Sequence, residues 1–219
     1  MTRVKICGVT TIEDALLAAD LGASAIGLVF WPGSPRCVPF ERARAIVAAL
    51  PPFVQAVGVF VDQIEQAASV ARSVGLGAVQ FHGDEPAGSY RDFPLRVIKS
   101  IAVRDESALD DATAIPTTVT VLLDAHDPIR RGGTGMPIDW TIAARIARRR
   151  PVILSGGLTA GNVMEAVTAV APYAIDVSSG VEASAGRKDP AKLRGLFAAV
   201  RAAQHRVGER ADAAETKML

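Results

Sequence analysis

Along the chain, apolar residues gather into short runs rich in Val, Ile and Leu. Each run is followed by a longer stretch in which apolar positions recur at helical spacing. The runs are Arg3–Cys7, Ala25–Phe30, Ala56–Val61, Ala78–Phe81, Arg96–Ser100, Thr118–Leu123, Val152–Leu154 and Ala174–Val177, eight in all. They are apolar at nearly every position, not at every second one, which is the pattern of parallel strands covered on both faces. The stretches between them read as helices with identifiable starts. Thr11 is placed to cap the first, and Asp14 follows three residues later, close to a capping-box pattern. Ile12, Ala15, Leu16 and Ala19 predict its buried stripe, and Gly22 its end. Asp189 caps the last helix, Pro190 takes its first-turn position, and Leu193, Leu196, Phe197 and Val200 predict its buried face.

Such a series of β-then-α units closes into a barrel or opens into a doubly wound sheet. The count of eight favours the barrel, and so does the placing of polar residues just after the strands along the whole chain. An open sheet would concentrate them at one crevice. The expected fold is therefore α/β, a single (β/α)8 barrel of the TIM type over residues 1–204. Residues 205–219, with little apolar content, are expected to form a frayed tail.

Bulk properties narrow the function classes. Of 219 residues, 49% are apolar and 21% charged, and the net charge is +1. That balance gives no electrostatic case for nucleic acid or an anionic membrane surface as partner. The basic run Arg148-Arg149-Arg150 is expected to be a solvated helix end, where cations meet the helix dipole favourably. Two cysteines, Cys7 and Cys37, are too few for a disulfide framework and suit a reducing compartment. The first residues carry no apolar leader, and no apolar run approaches the ~18 residues of a membrane span. The expected location is the cytoplasm.

In a barrel enzyme the chemistry lies at the C-terminal strand ends. Ser155-Gly156-Gly157 after strand 7 and Ser178-Ser179-Gly180 after strand 8 can expose backbone N–H groups around a phosphate. Cys7 closes strand 1 and precedes Gly8. It is either one more buried cysteine or a base at the mouth, the latter if its pKa falls toward the operating pH. Asp124 ends strand 6; it is a general acid or a helix cap, and Asp139 suits the capping role better. Strands 1 and 6 are three steps apart around a barrel, so a base and an acid there face each other across a substrate. Arg36, in a proline-bounded loop, can pair with a carboxylate. Strand 4 carries Gln80 and leads to His82, which reads as hydrogen-bonded structure. His126 opens a glycine-rich loop of the length used for lids. No two histidines share a helix face or close spacing, so no metal site is expected, and Cys37 receives no role.

These segments resemble phosphoribosylanthranilate isomerases. The resemblance is carried by Lys5-Ile6-Cys7-Gly8 with Thr10, Ser34-Pro35-Arg36, Gly58-Val59-Phe60-Val61-Asp62 and Gln80-Phe81-His82-Gly83-Asp84-Glu85. It continues through Leu123-Asp124-Ala125 with Gly132-Gly133-Thr134-Gly135, Asp139-Trp140, Leu154-Ser155-Gly156-Gly157-Leu158 and Asp176-Val177-Ser178-Ser179-Gly180-Val181-Glu182. It spans residues 3 to about 200 in order. It implies a ribulose-phosphate-binding barrel that performs an Amadori rearrangement in tryptophan biosynthesis. N-(5-phosphoribosyl)anthranilate becomes 1-(2-carboxyphenylamino)-1-deoxyribulose 5-phosphate, with Asp124 as general acid and Cys7 as general base. It further implies that Arg36 holds the anthranilate carboxylate and that Asp176 orients the site. Gln80, His82 and His126 contact substrate, and Gly156, Gly157, Ser179 and Gly180 hold the phosphate. No cofactor or metal is implied, and the assembly is a monomer or homodimer. Trp31, Phe81 and Ile138 depart from the family's usual tyrosine, leucine and phenylalanine, with consequences expected around the anthranilate ring. The runner-up readings are another sugar-phosphate isomerase or epimerase, an indole-glycerol-phosphate synthase, and a non-catalytic phosphosugar-binding barrel.

Overall fold

The computed structural model describes residues 2–90, 92–125 and 138–216, with side chains given for all of these except 87 and 205–216. Eight parallel strands close on themselves: β1 (Arg3–Ile6), β2 (Ala25–Val29), β3 (Gln55–Phe60), β4 (Ala78–Phe81), β5 (Arg96–Ala102), β6 (Thr120–Asp124), β7 (Val152–Leu154) and β8 (Ala174–Val177). The ring is completed by β1 on β8, with Lys5 opposite Asp176. β4, β7 and β8 match the sequence expectation, and the other strands differ from it at one or both ends by one or two residues, because hydrogen bonding, not apolarity, sets them. Cys7, for example, lies just past β1, and its N–H still donates to the Val177 carbonyl at 2.9 Å.

Strand side chains alternate between two apolar regions. Val57, Ala78, Ile98, Leu122, Ile153 and Ala174 point inward and plug the barrel floor. The residues between them, such as Ile6, Leu28, Phe60, Val79, Leu123 and Ile175, face the helices and form the larger core. Two buried layers explain why the strands read as continuously apolar.

The outer ring holds α1 (Ile12–Leu21), α2 (Phe40–Ala49), α3 (Ile64–Val74), α4 (Ala108–Ala114), α5 (Trp140–Ala147), α6 (Val163–Val170) and α7 (Pro190–Thr216). The predicted caps are in place. Thr11 accepts from the Asp14 N–H at 3.2 Å, and Asp139 accepts from Thr141 at 2.7 Å. Asp189 accepts from Ala191 at 2.8 Å. Two details of α1 are corrected. Its buried face is Asp14, Ala15 and Ala18, while Leu16 is exposed. The Asp14 carboxylate completes no capping box and instead accepts from the Lys188 N–H at 3.0 Å. In α7, Leu193, Leu196, Phe197 and Val200 are buried as expected. The helix runs on to Thr216, past the His205 boundary of the anticipated tail.

Three further features depart from a uniform β-then-α series. After β4 stands only a 3-10 turn, Ala87–Tyr90. The missing helix is replaced by a polar brace: the Glu85 carboxylate accepts from the N–H of Asp62 at 2.9 Å and from buried Lys99 at 2.7 Å. After β8, a short turn leads into an antiparallel hairpin, β9 (Glu182–Ser184) and β10 (Arg187–Lys188), before α7 begins. Finally, Arg150 is no solvated helix end. Its guanidinium donates to the carbonyls of Ala112, Ile115, Pro116 and Val119 at 2.6–3.0 Å, closing off the C-terminus of α4 and the loop into β6.

Candidate active site

Toward the C-terminal ends of the strands the inward positions turn polar. Ala78 is followed on its face by Gln80 and His82, Ile98 by Ser100, Leu122 by Asp124, and Ala174 by Asp176 and Ser178. All of these polar side chains but Ser100 line a cavity of about 520 Å³ at the mouth. It also receives Cys7, Trp31, Arg36 and the loops Ser155–Gly157 and Ser178–Gly180. Every sequence-predicted site residue that the structure describes is thus in one place. His126 lies outside the described residues, as does the glycine-rich segment at 132–135.

Cys7 packs with Val29, Val59 and Trp31 at the rim of the barrel interior. Directly below it, buried Lys5 places Nζ 2.9 Å from Asp176 Oδ1. Gly27 on the neighbouring strand makes room for this arrangement: a Cβ there would sit 2.8 Å from Cys7 Sγ and 3.0 Å from Lys5 Nζ. Burial opposes the charge on Lys5, but Asp176 and Cys7 together outweigh it and hold the ammonium above its ordinary pKa. The same burial pushes the Cys7 thiol up; Lys5 and Lys188 pull it back without cancelling the rise. This corrects the expectation of a lowered thiol, since a strand end inside a closed barrel is far drier than an exposed loop. Lys5, paired to a carboxylate beneath the floor of the cavity, is also poorly placed to be the strand-borne acid–base lysine of a synthase.

Asp124 is buried, with Oδ1 accepting from the Ala125 N–H at 2.9 Å. Its other oxygen lies 3.4 Å from His82 Nε2. The His82 ring sits between Gln80 Nε2, 3.3 Å from Nδ1, and Ser100 Oγ, 3.3 Å from Nε2. His82 is therefore hydrogen-bonded structure, as read from the sequence, but in a place where it orients Asp124. Gln80 Oε1 is buried and has no hydrogen-bond partner among the described residues. Asp139 caps α5, so Asp124 is not needed there.

The carboxylate partner of Arg36 is an internal one. Nε and Nη2 form a fork with Glu182 at 2.9 and 2.7 Å. Lys188, fully buried, donates from Nζ to Glu182 at 2.9 Å and to the Cys7 carbonyl at 2.6 Å. Glu182 and Lys188 carry no signal in apolar periodicity; the one sequence hint was that a charged pair brackets a turn at Gly186 right after the phosphate-type loop. Of the three family departures, only Trp31 touches the cavity. Phe81 is buried on the opposite face of β4, stacked on Tyr90 and edge-on to Phe93, and Ile138 joins the helix-side core. Among the described residues no cluster of three or more His, Cys, Asp or Glu is arranged to hold a metal ion.

The chain and its barrel have counterparts in known proteins. The family model for N-(5'-phosphoribosyl)anthranilate (PRA) isomerase matches residues 4–199. The chain belongs to that family. The N-(5'-phosphoribosyl)anthranilate isomerase of Geobacter metallireducens is 50% identical over 195 residues, which cover 89% of this chain and 96% of that one. A solved phosphoribosylanthranilate isomerase in complex with reduced 1-(o-carboxyphenylamino)-1-deoxyribulose 5-phosphate is similar at a TM-score of 0.80 and 40% identity. That likeness spans 92% of this chain and all of the other. The mutually generated monomers of the dimeric enzyme of Thermotoga maritima match at a TM-score of 0.82 and 38% identity, over 92% of this chain and 100% of theirs.

Proposed function

We propose that this chain is a phosphoribosylanthranilate isomerase of tryptophan biosynthesis, with Asp124 as general acid and Cys7 as general base. The observation that carries the assignment of roles is that both line one cavity, from strand ends three steps apart in the closed ring. Asp124 gives its proton to the furanose ring oxygen of N-(5-phosphoribosyl)anthranilate. The C1–O bond breaks, and the anthranilate nitrogen supplies the electron pair that forms the iminium. Cys7 thiolate then removes the C2 proton, leaving an enolamine that tautomerises to the ketone, 1-(2-carboxyphenylamino)-1-deoxyribulose 5-phosphate. The substrate nitrogen is the electron sink, so the residues here suffice without metal or cofactor.

Recognition follows the cavity walls. The glycines Gly156 and Gly157, both with left-handed φ, and the adjoining Ser179 and Gly180 offer backbone N–H groups to the phosphate. The free edge of Arg36 takes the anthranilate carboxylate, and Gln80 offers its unpartnered oxygen to a ribose hydroxyl. His82 holds Asp124, Asp176 orients Cys7 through Lys5, and His126 is assigned a substrate contact from the segment that follows Asp124. The working assembly is a monomer or homodimer in the cytoplasm. Phe53, 96% exposed between α2 and β3, provides an apolar anchor for self-association.

The decay of phosphoribosylanthranilate fluorescence on adding the purified protein, with no metal or cofactor supplied, tests the reaction. Wild type is expected to accelerate the decay, and Cys7→Ser to lose about 10²–10⁴-fold in turnover. A loss under about tenfold in a folded Cys7→Ser variant would remove Cys7 as the base. No acceleration by wild type would return the protein to the non-catalytic phosphosugar-binding reading.

A further inference from the structure

We propose that Glu182 and Lys188, the charged ends of the β9–β10 hairpin, are positioning residues for carboxylate recognition. Glu182 locks the Arg36 guanidinium with one edge turned to the cavity, and Lys188 keeps that lock positively charged and ties it to the backbone of Cys7. The inference rests on the isomerase reading above, in which Arg36 meets the substrate carboxylate.

The geometry is closed on the Glu182 side. Oε1 accepts from Arg36 Nε at 2.9 Å, Lys188 Nζ at 2.9 Å and the Gly186 N–H at 3.2 Å. Oε2 accepts from Arg36 Nη2 at 2.7 Å. Such a fork occupies one edge of the planar guanidinium and sets the direction of the other, which a single hydrogen bond to a flexible side chain would not do. Arg36 also lines the cavity, and the N–H groups outside the fork are the ones left for a substrate carboxylate. The stem of Arg36 passes over Gly8, whose φ is +69°, and a Cβ at that position would collide with Arg36 Cδ. The glycine after the base thus also seats the carboxylate reader.

Charge explains why Lys188 belongs to the set. Glu182 alone would neutralise Arg36 and leave nothing to attract a second carboxylate. With Lys188 buried beside it, two cations share one anion; desolvation lowers the Lys188 pKa while Glu182 opposes that fall, and the excess positive charge is met when the substrate carboxylate arrives. Burial works against the charge on Glu182, but Arg36 and Lys188 outweigh it and hold the carboxyl below its ordinary pKa, so it stays ionised. Lys188 Nζ also donates to the carbonyls of Cys7 at 2.6 Å and Ser178 at 3.3 Å. One ammonium therefore links the base, the phosphate-side loop and the carboxylate reader. The hairpin is docked on the first loop and α1: Thr10 donates to the Gly186 carbonyl at 2.6 Å, and the Lys188 N–H to Asp14 at 3.0 Å.

Calorimetric titration with two probes tests this. One is reduced 1-(o-carboxyphenylamino)-1-deoxyribulose 5-phosphate; the other is the same compound without its carboxylate. Glu182→Gln is expected to weaken the first by about tenfold or more and leave the second within about twofold, with a KM rise exceeding any fall in kcat. Lys188→Met is expected to weaken the first probe and lower kcat as well, and Lys188→Arg to restore part of the binding. If Glu182→Gln does not fold, Glu182→Asp, which keeps the charge but breaks the fork, should show the same selectivity between probes. Equal weakening of both probes, or no weakening of either, overturns the inference while leaving a binding, active wild type as an isomerase. A wild type that binds neither probe overturns the isomerase reading beneath it.

Discussion

Cys7 faces a conflict between position and ionisation. A base that takes a carbon-bound proton must be a thiolate, yet burial at the strand end favours the neutral thiol. Lys5 is the structure's partial answer. It is a buried cation within reach of the sulfur, held charged by Asp176. The sign of the pH dependence follows. Since the thiol's pKa is raised in the folded enzyme, the thiolate fraction is small at neutral pH and grows as pH increases. For Cys7 as base, kcat/KM should climb tenfold per pH unit on its acid limb and keep climbing above neutrality. In Lys5→Met that limb should move to higher pH, so the deficit is largest near pH 7 and shrinks in alkaline buffer. A pH–rate profile of both proteins checks this, and a limb that stays in place in the variant would mean Lys5 does not act through the thiol. Across the cavity, the His82 ring lies 3.3 Å from both Gln80 Nε2 and Ser100 Oγ, with Asp124 Oδ2 3.4 Å from its Nε2.

Elements were legible to different depths. Strand identity followed from apolar runs, and the caps of α1, α5 and α7 from single residue types at the right offset. Parity within the strands holds more than continuous apolarity reveals. Reading every second residue, as in Ala78-x-Gln80-x-His82 or Ala174-x-Asp176-x-Ser178, separates the plug, the cavity wall and the helix-facing core. The turn in place of a helix after β4, and the hairpin after β8, escaped periodicity because short polar segments have too few apolar positions to show a period. Arg150 was misjudged for a related reason. Its neighbours in sequence are solvent-facing arginines, but the carbonyls it serves come from residues 112–119. Arg150→Ala should cost about 3 kcal/mol, because charge-assisted hydrogen bonds are lost and several carbonyls go unpaired. Urea unfolding should show the lower midpoint, with kcat unchanged because these contacts lie at the N-terminal ends of β6 and β7, away from the mouth.

For the whole molecule, closure of the ring is what turns eight separate strand ends into one site. Pairing of β1 with β8 brings Lys5 against Asp176 across 171 residues of sequence and lets Cys7 share a cavity with Asp124. The outer surface carries a separate question, that of assembly. Phe53 projects almost fully into solvent beside two prolines, an apolar side chain that a second copy has room to cover. Sedimentation velocity should show a dimer for wild type and a shift to monomer for Phe53→Ser, with activity per folded chain retained. A wild-type monomer at micromolar concentration would remove the homodimer proposal. The alternation of elements, the barrel and the polar strand ends that line its mouth were legible in the sequence alone, since hydrophobic period, caps and residue chemistry are local properties. Which carboxylate Arg36 meets, how far the Cys7 thiol is desolvated, and the linking of Lys5 to Asp176 and of Lys188 to Cys7 were decided only by tertiary structure. Each depends on distances and dielectric between residues far apart in the chain, and closing the barrel is what sets them.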